Sequence, residues 1–153
     1  MTARLTDLRT AVPDLIVTAR LTVETRGAGF TDITAETRRF LAEAGAGEGI
    51  LYLFLRHTSA SLVIQENADP DVQIDLVTAL ARVAPEDAGW VHDTEGPDDM
   101  PAHVKTMLTG VSLHVPVTKG APALGTWQGI YVAEHRAMPH RREVVLQFVG
   151  GRR

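Results

Sequence analysis

Residues 15–24 constrain the fold of this chain more than any other segment, because apolar side chains occupy every odd position from Leu15 to Val23. Most of the even positions between them are polar. A period of two predicts a strand with one face on the core. The same reasoning predicts strands over residues 111–117, 127–134 and 143–149, so β-structure is expected at both ends of the chain.

Helices are predicted between these two ends. Thr34 is a suitable N-cap for a short helix, and Gly45 stands where the residue after its C-cap belongs. Asp69-Pro70 predicts the start of a second helix, with Asp as N-cap and Pro in the first turn. A third helix is expected to begin near Pro101 and to end before Gly110.

Two short segments complete the expected order of elements. The apolar run Ile50–Leu55 predicts a strand covered on both faces, and residues 90–92 are a candidate for another short strand. Strands at both ends with helices between them predict an α+β fold, with helices packed on a largely antiparallel sheet. The 153 residues fit a single compact domain over residues 1–153, which is long enough to build a core.

Composition excludes several classes of protein and of site. Without cysteine the chain cannot build disulfides, thiolate zinc sites or a cysteine nucleophile. A net charge of −4 argues against a nucleic-acid partner, and a longest apolar run of six residues argues against a membrane span. The first residues lack an apolar stretch of signal-peptide type, so we expect a cytoplasmic protein.

Two polar segments have both a structural and a functional interpretation. His57-Thr58-Ser59 follows the buried run, where the histidine and hydroxyl groups either bind an oxyanion or simply make local hydrogen bonds at a strand end. Residues 65–69 (QENAD) either contribute to a site or form the turn and cap before the second helix.

Residues 92–105 hold the highest density of titratable groups in the sequence. His92 and His103 bracket four carboxylates, and in a protein without cysteine a tight zinc-type site must use histidine and carboxylate ligands. The alternative is an acidic loop in which Asp98 or Asp99 caps the third helix.

The remaining candidates lie in the C-terminal third. Trp127, within residues 125–129 (GTWQG), is by default a core or interface residue, while Gln128 beside it is a candidate to face a cleft. A basic group of Arg136 and residues 140–142 either binds phosphate or carboxylate, or is a solvated turn. His114 and His135 have no supporting neighbours and are taken as structural.

Four of these segments together resemble the YjbQ family, whose members are described as secondary thiamine-phosphate synthases. The matching segments are residues 57–60 (HTSA), 65–72 (QENADPDV), 95–105 (EGPDDMPAHVK) and 124–130 (LGTWQGI), in that order. The resemblance covers nearly the whole chain. It implies a compact α+β domain assembled as a homotrimer, with a metal site near subunit contacts.

The resemblance also implies roles for individual residues. The implied metal ligands are His57, His92 and His103. The implied catalytic residues are Glu66, Asn67, Lys105, Gln128 and Arg141, although sequence alone does not decide between Arg141 and Arg142. The implied cofactor contacts are Thr58, Ser59 and Trp127. The histidines favour a zinc-like divalent metal, whereas pyrophosphate chemistry more often uses Mg²⁺.

Three functions follow as hypotheses. The first is a transferase that joins a thiazole phosphate to a pyrimidine pyrophosphate with release of pyrophosphate, either as the main reaction or as a side activity. The second is a metal-dependent hydrolase or lyase acting on a small phosphorylated or anionic substrate. The third is a trimer that binds a small molecule without catalysis.

Overall fold

Eight strands and three helices make up the protein, and the computed structural model describes residues 2–153. The strands are β1 (Leu15–Glu24), β2 (Gly29–Asp32), β3 (Ala46–Leu55), β4 (Ala60–Glu66), β5 (Ser112–Thr118), β6 (Ala121–Pro122), β7 (Gln128–Glu134) and β8 (Arg141–Arg152). The helices are α1 (Thr34–Glu43), α2 (Pro70–Val83) and α3 (Asp99–Thr109).

The strands form two antiparallel sheets, which confirms the predicted α+β class. The larger sheet has the order β1-β8-β3-β5-β6 and the smaller one the order β2-β7-β4. Leu51 and Leu53 of β3 and Phe148 of β8 enter one core with Leu62 of β4 and Ile130 of β7. This single core makes the chain one compact domain.

Strand β1 has the alternation that the sequence predicts, with its odd positions turned inward, but β3 does not have the predicted cover on both faces. Leu51, Leu53 and Leu55 are buried, whereas Ile50, Tyr52 and Phe54 on the opposite face are exposed. The prediction was wrong because an apolar run shows only that both faces of the strand are apolar. It does not show that other parts of the same chain pack against both faces.

The ends of the helices follow the predicted caps in part. Asp69 accepts a hydrogen bond from the backbone of Asp71 and caps α2, as predicted. Gly45 ends α1 with a φ of +64°, a conformation that suits glycine. Thr34 is the first residue of α1 rather than its N-cap, and its hydroxyl accepts a hydrogen bond from the backbone of Ile130 instead.

Helix α3 begins at Asp99, two residues before the predicted start, and the loop that precedes it contains no strand at residues 90–92. Asp98 stands at the N-cap position, but its carboxylate makes no capping hydrogen bond. The predicted N-cap position of Asp98 is therefore confirmed, but its side chain does not cap the helix, because its carboxylate accepts hydrogen bonds from Arg136 and Ala137. Over residues 2–153, none of the three helices is long and apolar enough to cross a bilayer.

Candidate metal centre

Three potential metal ligands converge where α3 begins. Asp99 is the first residue of α3, and His103 lies one helical turn later on the same face. His92 approaches from the loop before the helix. The ligand atoms of the three residues all lie within 4.8 Å of one another, with Asp99 Oδ2 2.7 Å from His92 Nε2 and 3.2 Å from His103 Nε2.

A guanidinium group fixes the carboxylate of Asp99. Its side chain is only 2% exposed, and its Oδ1 accepts a hydrogen bond of 2.6 Å from Arg136 Nη1. Arg136 also donates through Nε to Asp98 and through Nη2 to the carbonyl of Glu95. The other carboxylate oxygen, Oδ2, which Arg136 does not contact, therefore faces the two histidines. Arg136, which lies in the connection between β7 and β8, therefore holds the cluster in place.

The pKa of Asp99 reflects these neighbours. Burial acts to raise it, but the hydrogen bond from His92 and the charges of His103 and Arg136 outweigh burial and hold the pKa below its usual value. Asp99 is therefore an ionised carboxylate at neutral pH, which is the form that binds a cation.

The orientation of His103 is the most informative feature of the cluster. Its Nδ1 lies 2.8 Å from the carbonyl oxygen of Thr58, and because a carbonyl only accepts, Nδ1 carries a proton. In the neutral ring the Nε2 lone pair then faces the carboxylate oxygen of Asp99. Two lone pairs 3.2 Å apart require a cation between them, either a proton or a metal ion.

These residues fit a zinc-type ion. A ligating histidine commonly donates its second ring N–H to a backbone carbonyl, as His103 does to Thr58. Ligand atoms about 2 Å from a tetrahedral zinc are about 3.3 Å apart. The separation of Asp99 Oδ2 from His103 Nε2, 3.2 Å, matches that value, while the 2.7 Å between Asp99 and His92 is an ordinary hydrogen bond.

A cavity of about 630 Å³ adjoins the cluster, and His103 forms part of its wall. Phe54, Met107 and Val111 supply apolar walls, and His57 lines it together with His103. A mostly apolar cavity with a few polar groups at one end is typical of a site for a small molecule.

His57 lies on this cavity but outside the cluster. Its Nε2 accepts a hydrogen bond of 2.8 Å from the backbone N–H of Glu143, so in the neutral ring the proton is on Nδ1. Burial, and next the charge of Arg142, lower the pKa of His57, which favours this neutral form. As a metal ligand His57 stays a prediction, and in this conformation it presents a donor rather than a lone pair.

The two hydroxyl residues after His57 have different surroundings. Thr58 is exposed and meets the cluster through its carbonyl oxygen. Ser59 is buried, and its Oγ and carbonyl oxygen both accept hydrogen bonds from Arg142 Nη2, at 2.9 and 3.2 Å. Only Thr58 of this pair is therefore near the histidines with a free side chain.

A second group of predicted residues lies at the other end of β4. Glu66 accepts hydrogen bonds from the backbone N–H groups that begin the turn to α2, and Asn67 Nδ2 donates to the carbonyl of Gln128. Trp127 beside them is 65% exposed, so it is not a core residue, and its alternative role as an interface residue stays a prediction. Six residues of β-strand separate this group from Thr58, a distance of about 20 Å.

The two predicted basic residues are also apart from the cluster. Lys105 lies on another face of α3, near Glu134 and His135, and burial lowers its pKa. Arg141 is exposed at the start of β8, whereas Arg142 is buried against Glu134. Of the two arginines that the sequence could not separate, Arg142 faces the interior.

Sequence reasoning missed Asp99 as the third member of the cluster and Arg136 as its support. The four-residue spacing of Asp99 and His103 is the pattern that could have found the first, because it places both side chains on one helical face. The position of Arg136, which is close to Asp99 only in the folded chain, has no local pattern.

Comparison with known proteins identifies the family. The family model described as "UPF0047 protein YjbQ-like" matches residues 19–151, which is most of the chain. The chain belongs to the YjbQ family. A UPF0047 protein of Synechocystis is 45% identical to this YjbQ-family protein over 131 residues, 85% of this chain and 89% of the relative. The UPF0047 protein YjbQ of Escherichia coli O157:H7 is 41% identical over 85% of this chain and 95% of its own length.

A solved structure from Clostridium acetobutylicum has the same fold. It is 35% identical, has a TM-score of 0.78, and the match covers 85% of this chain and 98% of the other. That protein is described as an uncharacterised member of the YjbQ/UPF0047 family. The comparisons thus show the family and the fold of this chain.

Proposed function

We propose that this YjbQ-family protein is a metal-dependent enzyme acting on a small phosphorylated or anionic substrate. The observation that carries the proposal is His103, whose Nδ1 donates to Thr58 and whose Nε2 faces the ionised Asp99. A buried carboxylate fixed by Arg136 and two ring nitrogens directed at it form a ligand set for a cation.

The ligand set favours a zinc-like ion over magnesium. Two imidazoles and one carboxylate suit zinc and similar transition metals, whereas Mg²⁺ is usually bound by carboxylates, phosphates and water. When bound, such an ion polarises a phosphoryl oxygen or lowers the pKa of a coordinated water.

The residues around the cluster suit the binding and orientation of a substrate. Phe54, Met107 and Val111 give the cavity apolar walls that suit the non-polar part of a substrate. His57 offers an Nδ1–H donor, and the exposed hydroxyl of Thr58 lies beside it. Neutral donors of this kind hold an anionic oxygen without needing to change their protonation state.

The synthase reaction that the family resemblance implies is one candidate within this proposal. It needs the charge of the leaving pyrophosphate neutralised and two rings held together, which a cation beside a cavity supplies. A ligand set of His, His and Asp equally suits hydrolysis or elimination on a phosphorylated compound. Binding without turnover is the remaining hypothesis.

Self-association is part of the proposal. Ile50, Tyr52 and Phe54 of β3 form an exposed apolar row, and Ile16 of β1 extends it across the same face of the larger sheet. Exposed apolar surface that continues over several strands marks an interaction site. A second copy on this face would cover it beside the cavity.

Metal analysis tests the core of the proposal. We expect about one zinc-like ion per chain in protein purified from zinc-containing medium, and its loss in Asp99→Asn and His103→Gln. His140→Gln is the matched control, because the ring of His140 contacts the carbonyl oxygen of Met138 and is not among the clustered ligands. His57→Gln tests the remaining predicted ligand: loss of the ion would add His57 to the ligand set, and retention would exclude it. Wild-type protein without stoichiometric metal, or equal retention in Asp99→Asn and the control, would contradict the proposal.

Activity and assembly are measured separately. Metal-loaded protein is assayed for pyrophosphate release from the pyrimidine pyrophosphate with the thiazole phosphate, and for phosphate release from a panel of phosphomonoesters. Saturable binding without turnover in both assays would leave the non-catalytic hypothesis. Analytical ultracentrifugation should give a trimer for wild type and a monomer for Phe54→Lys, with Ile74→Lys on exposed α2 as the control.

A further inference from the structure

A second concave site lies on the other side of His57, at the end of the larger sheet. It is a hollow of about 330 Å³ where β1 and β3 end and β8 begins. The residues that line it are Thr22, Arg56, His57, Arg141, Arg142 and Glu143. The guanidinium groups of Arg56 and Arg141 and the imidazole of His57 therefore lie around the carboxylate of Glu143, whereas the guanidinium of Arg142 points into the interior.

The carboxylates near this hollow do not balance its positive charge. Glu143 forms ion pairs with both Arg56 and Arg20, the latter at 4.0 Å, so one negative charge serves two guanidinium groups. Arg142 has its own buried partner in Glu134. Arg141 meets Glu24 at 3.6 Å in full contact with solvent, where an ion pair contributes little. One unit of positive charge is left over.

His57 adds a directed hydrogen-bond donor. Its Nε2 is held by the backbone N–H of Glu143, so Nδ1 carries the proton of the neutral ring. Over residues 2–153 no buried side-chain nitrogen lacks a partner, and Nδ1 has no protein acceptor, so this N–H is open to solvent. The imidazole is fixed in place with one donor free.

We propose that this hollow is a binding site for a phosphate-type oxyanion, held by Arg56, Arg141 and the Nδ1–H of His57. Guanidinium groups present parallel N–H donors that match the oxygens of phosphate. Because Arg56 and His57 also line the cavity beside His103, one ligand can reach from this hollow to the cluster. That last step rests on the proposed function, whereas anion binding in the hollow does not.

The test is calorimetric titration of the full chain with inorganic phosphate and with pyrophosphate at low salt. We expect saturable binding that weakens as salt is added. Arg56→Gln should weaken it about tenfold or more, since a hydrogen bond to a charged group is lost. Arg141→Gln should weaken it less, because the side chain of Arg141 is 74% exposed and that of Arg56 is 51% exposed. Arg38→Gln, an exposed arginine on α1, should leave binding unchanged.

Glu143→Gln gives the sharpest outcome. Removing this carboxylate releases Arg56 and Arg20 while the backbone N–H that holds His57 remains, so anion binding should become tighter. Weaker binding in Glu143→Gln would overturn the proposal. So would the absence of saturable binding, or equal losses in Arg56→Gln and Arg38→Gln.

Two further measurements separate this site from the metal and from subunit contacts. Asp99→Asn, which is expected to lack the metal, should still bind phosphate. If wild-type protein holds the metal but binds no phosphate, the anion site in the hollow is refuted and the proposed function is not. If it binds phosphate but holds no metal, the proposed function is refuted and the anion site is not. If Arg56→Gln changes the mass of the assembly and not the affinity for phosphate, the hollow is a contact between copies and the proposal fails.

Discussion

The buried ion pair between Arg142 and Glu134 offers a demanding test of the structure. Their side chains are 5% and 1% exposed. Arg142 donates through Nε and Nη2 to the two carboxylate oxygens, at 2.8 and 2.5 Å. Glu134 also accepts from the hydroxyl of Thr25 and the backbone of Arg136. Glu134→Gln keeps the shape of this side chain and leaves a buried guanidinium without its counter-charge.

The expected cost is large. Removing one partner of a buried pair destabilises a protein by about 3–5 kcal/mol. For a domain of this size each kcal/mol lowers the melting temperature by about 2–4 °C, so Glu134→Gln should melt about 6–20 °C below wild type. Burial acts to raise the pKa of Glu134, but hydrogen bonds from Arg142, Arg136 and Thr25 outweigh it and lower the pKa.

That direction fixes the pH dependence. With a folded pKa below the unfolded one, the stabilisation is complete above the ordinary pKa of a glutamate and is lost as pH falls through the folded value. The free-energy gap between wild type and Glu134→Gln should therefore be constant near neutral pH and narrow only in acid.

Urea unfolding followed by circular dichroism measures the difference in unfolding free energy between wild type and Glu134→Gln. Glu24→Gln is the matched control, because Glu24 pairs with the neighbouring Arg141 at the surface, and it should cost about 1 kcal/mol or less. The double variant Glu134→Gln, Arg142→Met should cost less than the sum of its parts. A loss in Glu134→Gln no greater than in Glu24→Gln would refute the buried pair.

Three other perturbations test separate parts of the fold. Asp69→Ala removes the side-chain cap of α2 and should cost about 1 kcal/mol in thermal unfolding. Burial, and next the charge of Lys105, lower the pKa of His135 to about 4, so folding should lose about 2 kcal/mol between pH 6.5 and 5. His135→Gln should unfold without that slope in the same urea titrations. Gly49→Ala places a Cβ 2.4 Å from the carbonyl oxygen of Val149 and should lower stability by about 1–3 kcal/mol, as read from the melting temperature.

The strands and helices were largely predictable because each depends on local pattern. The period of two predicts β1, and the Asp-Pro pair predicts the start of α2, each from only a few neighbouring residues. The run Ile50–Leu55 predicted a strand correctly but not its exposed face. The face of an apolar strand that becomes buried is decided by elements far away in sequence or by another chain. The residues of the strand itself do not predict it.

The candidate site was predictable only in part. His92 and His103 are singled out by the density of titratable groups around them, and the structure places them together. Asp99 was missed because four carboxylates share the loop and the helix was expected to begin at Pro101. The hydrogen bond that holds His57 comes from Glu143, a backbone group with no side-chain pattern.

The position of β8 has a consequence for how the chain folds. This strand lies between β1 and β3 in the larger sheet, and Leu15 pairs with Gly150, almost the whole chain away. Contacts so distant in sequence slow folding. Of the eight strands, β8 is the last to leave the ribosome, so until then the edges of β1 and β3 that it pairs with stay unpaired. During synthesis this protein therefore carries unpaired strand edges, and its yield should depend on chaperones more than its final stability suggests.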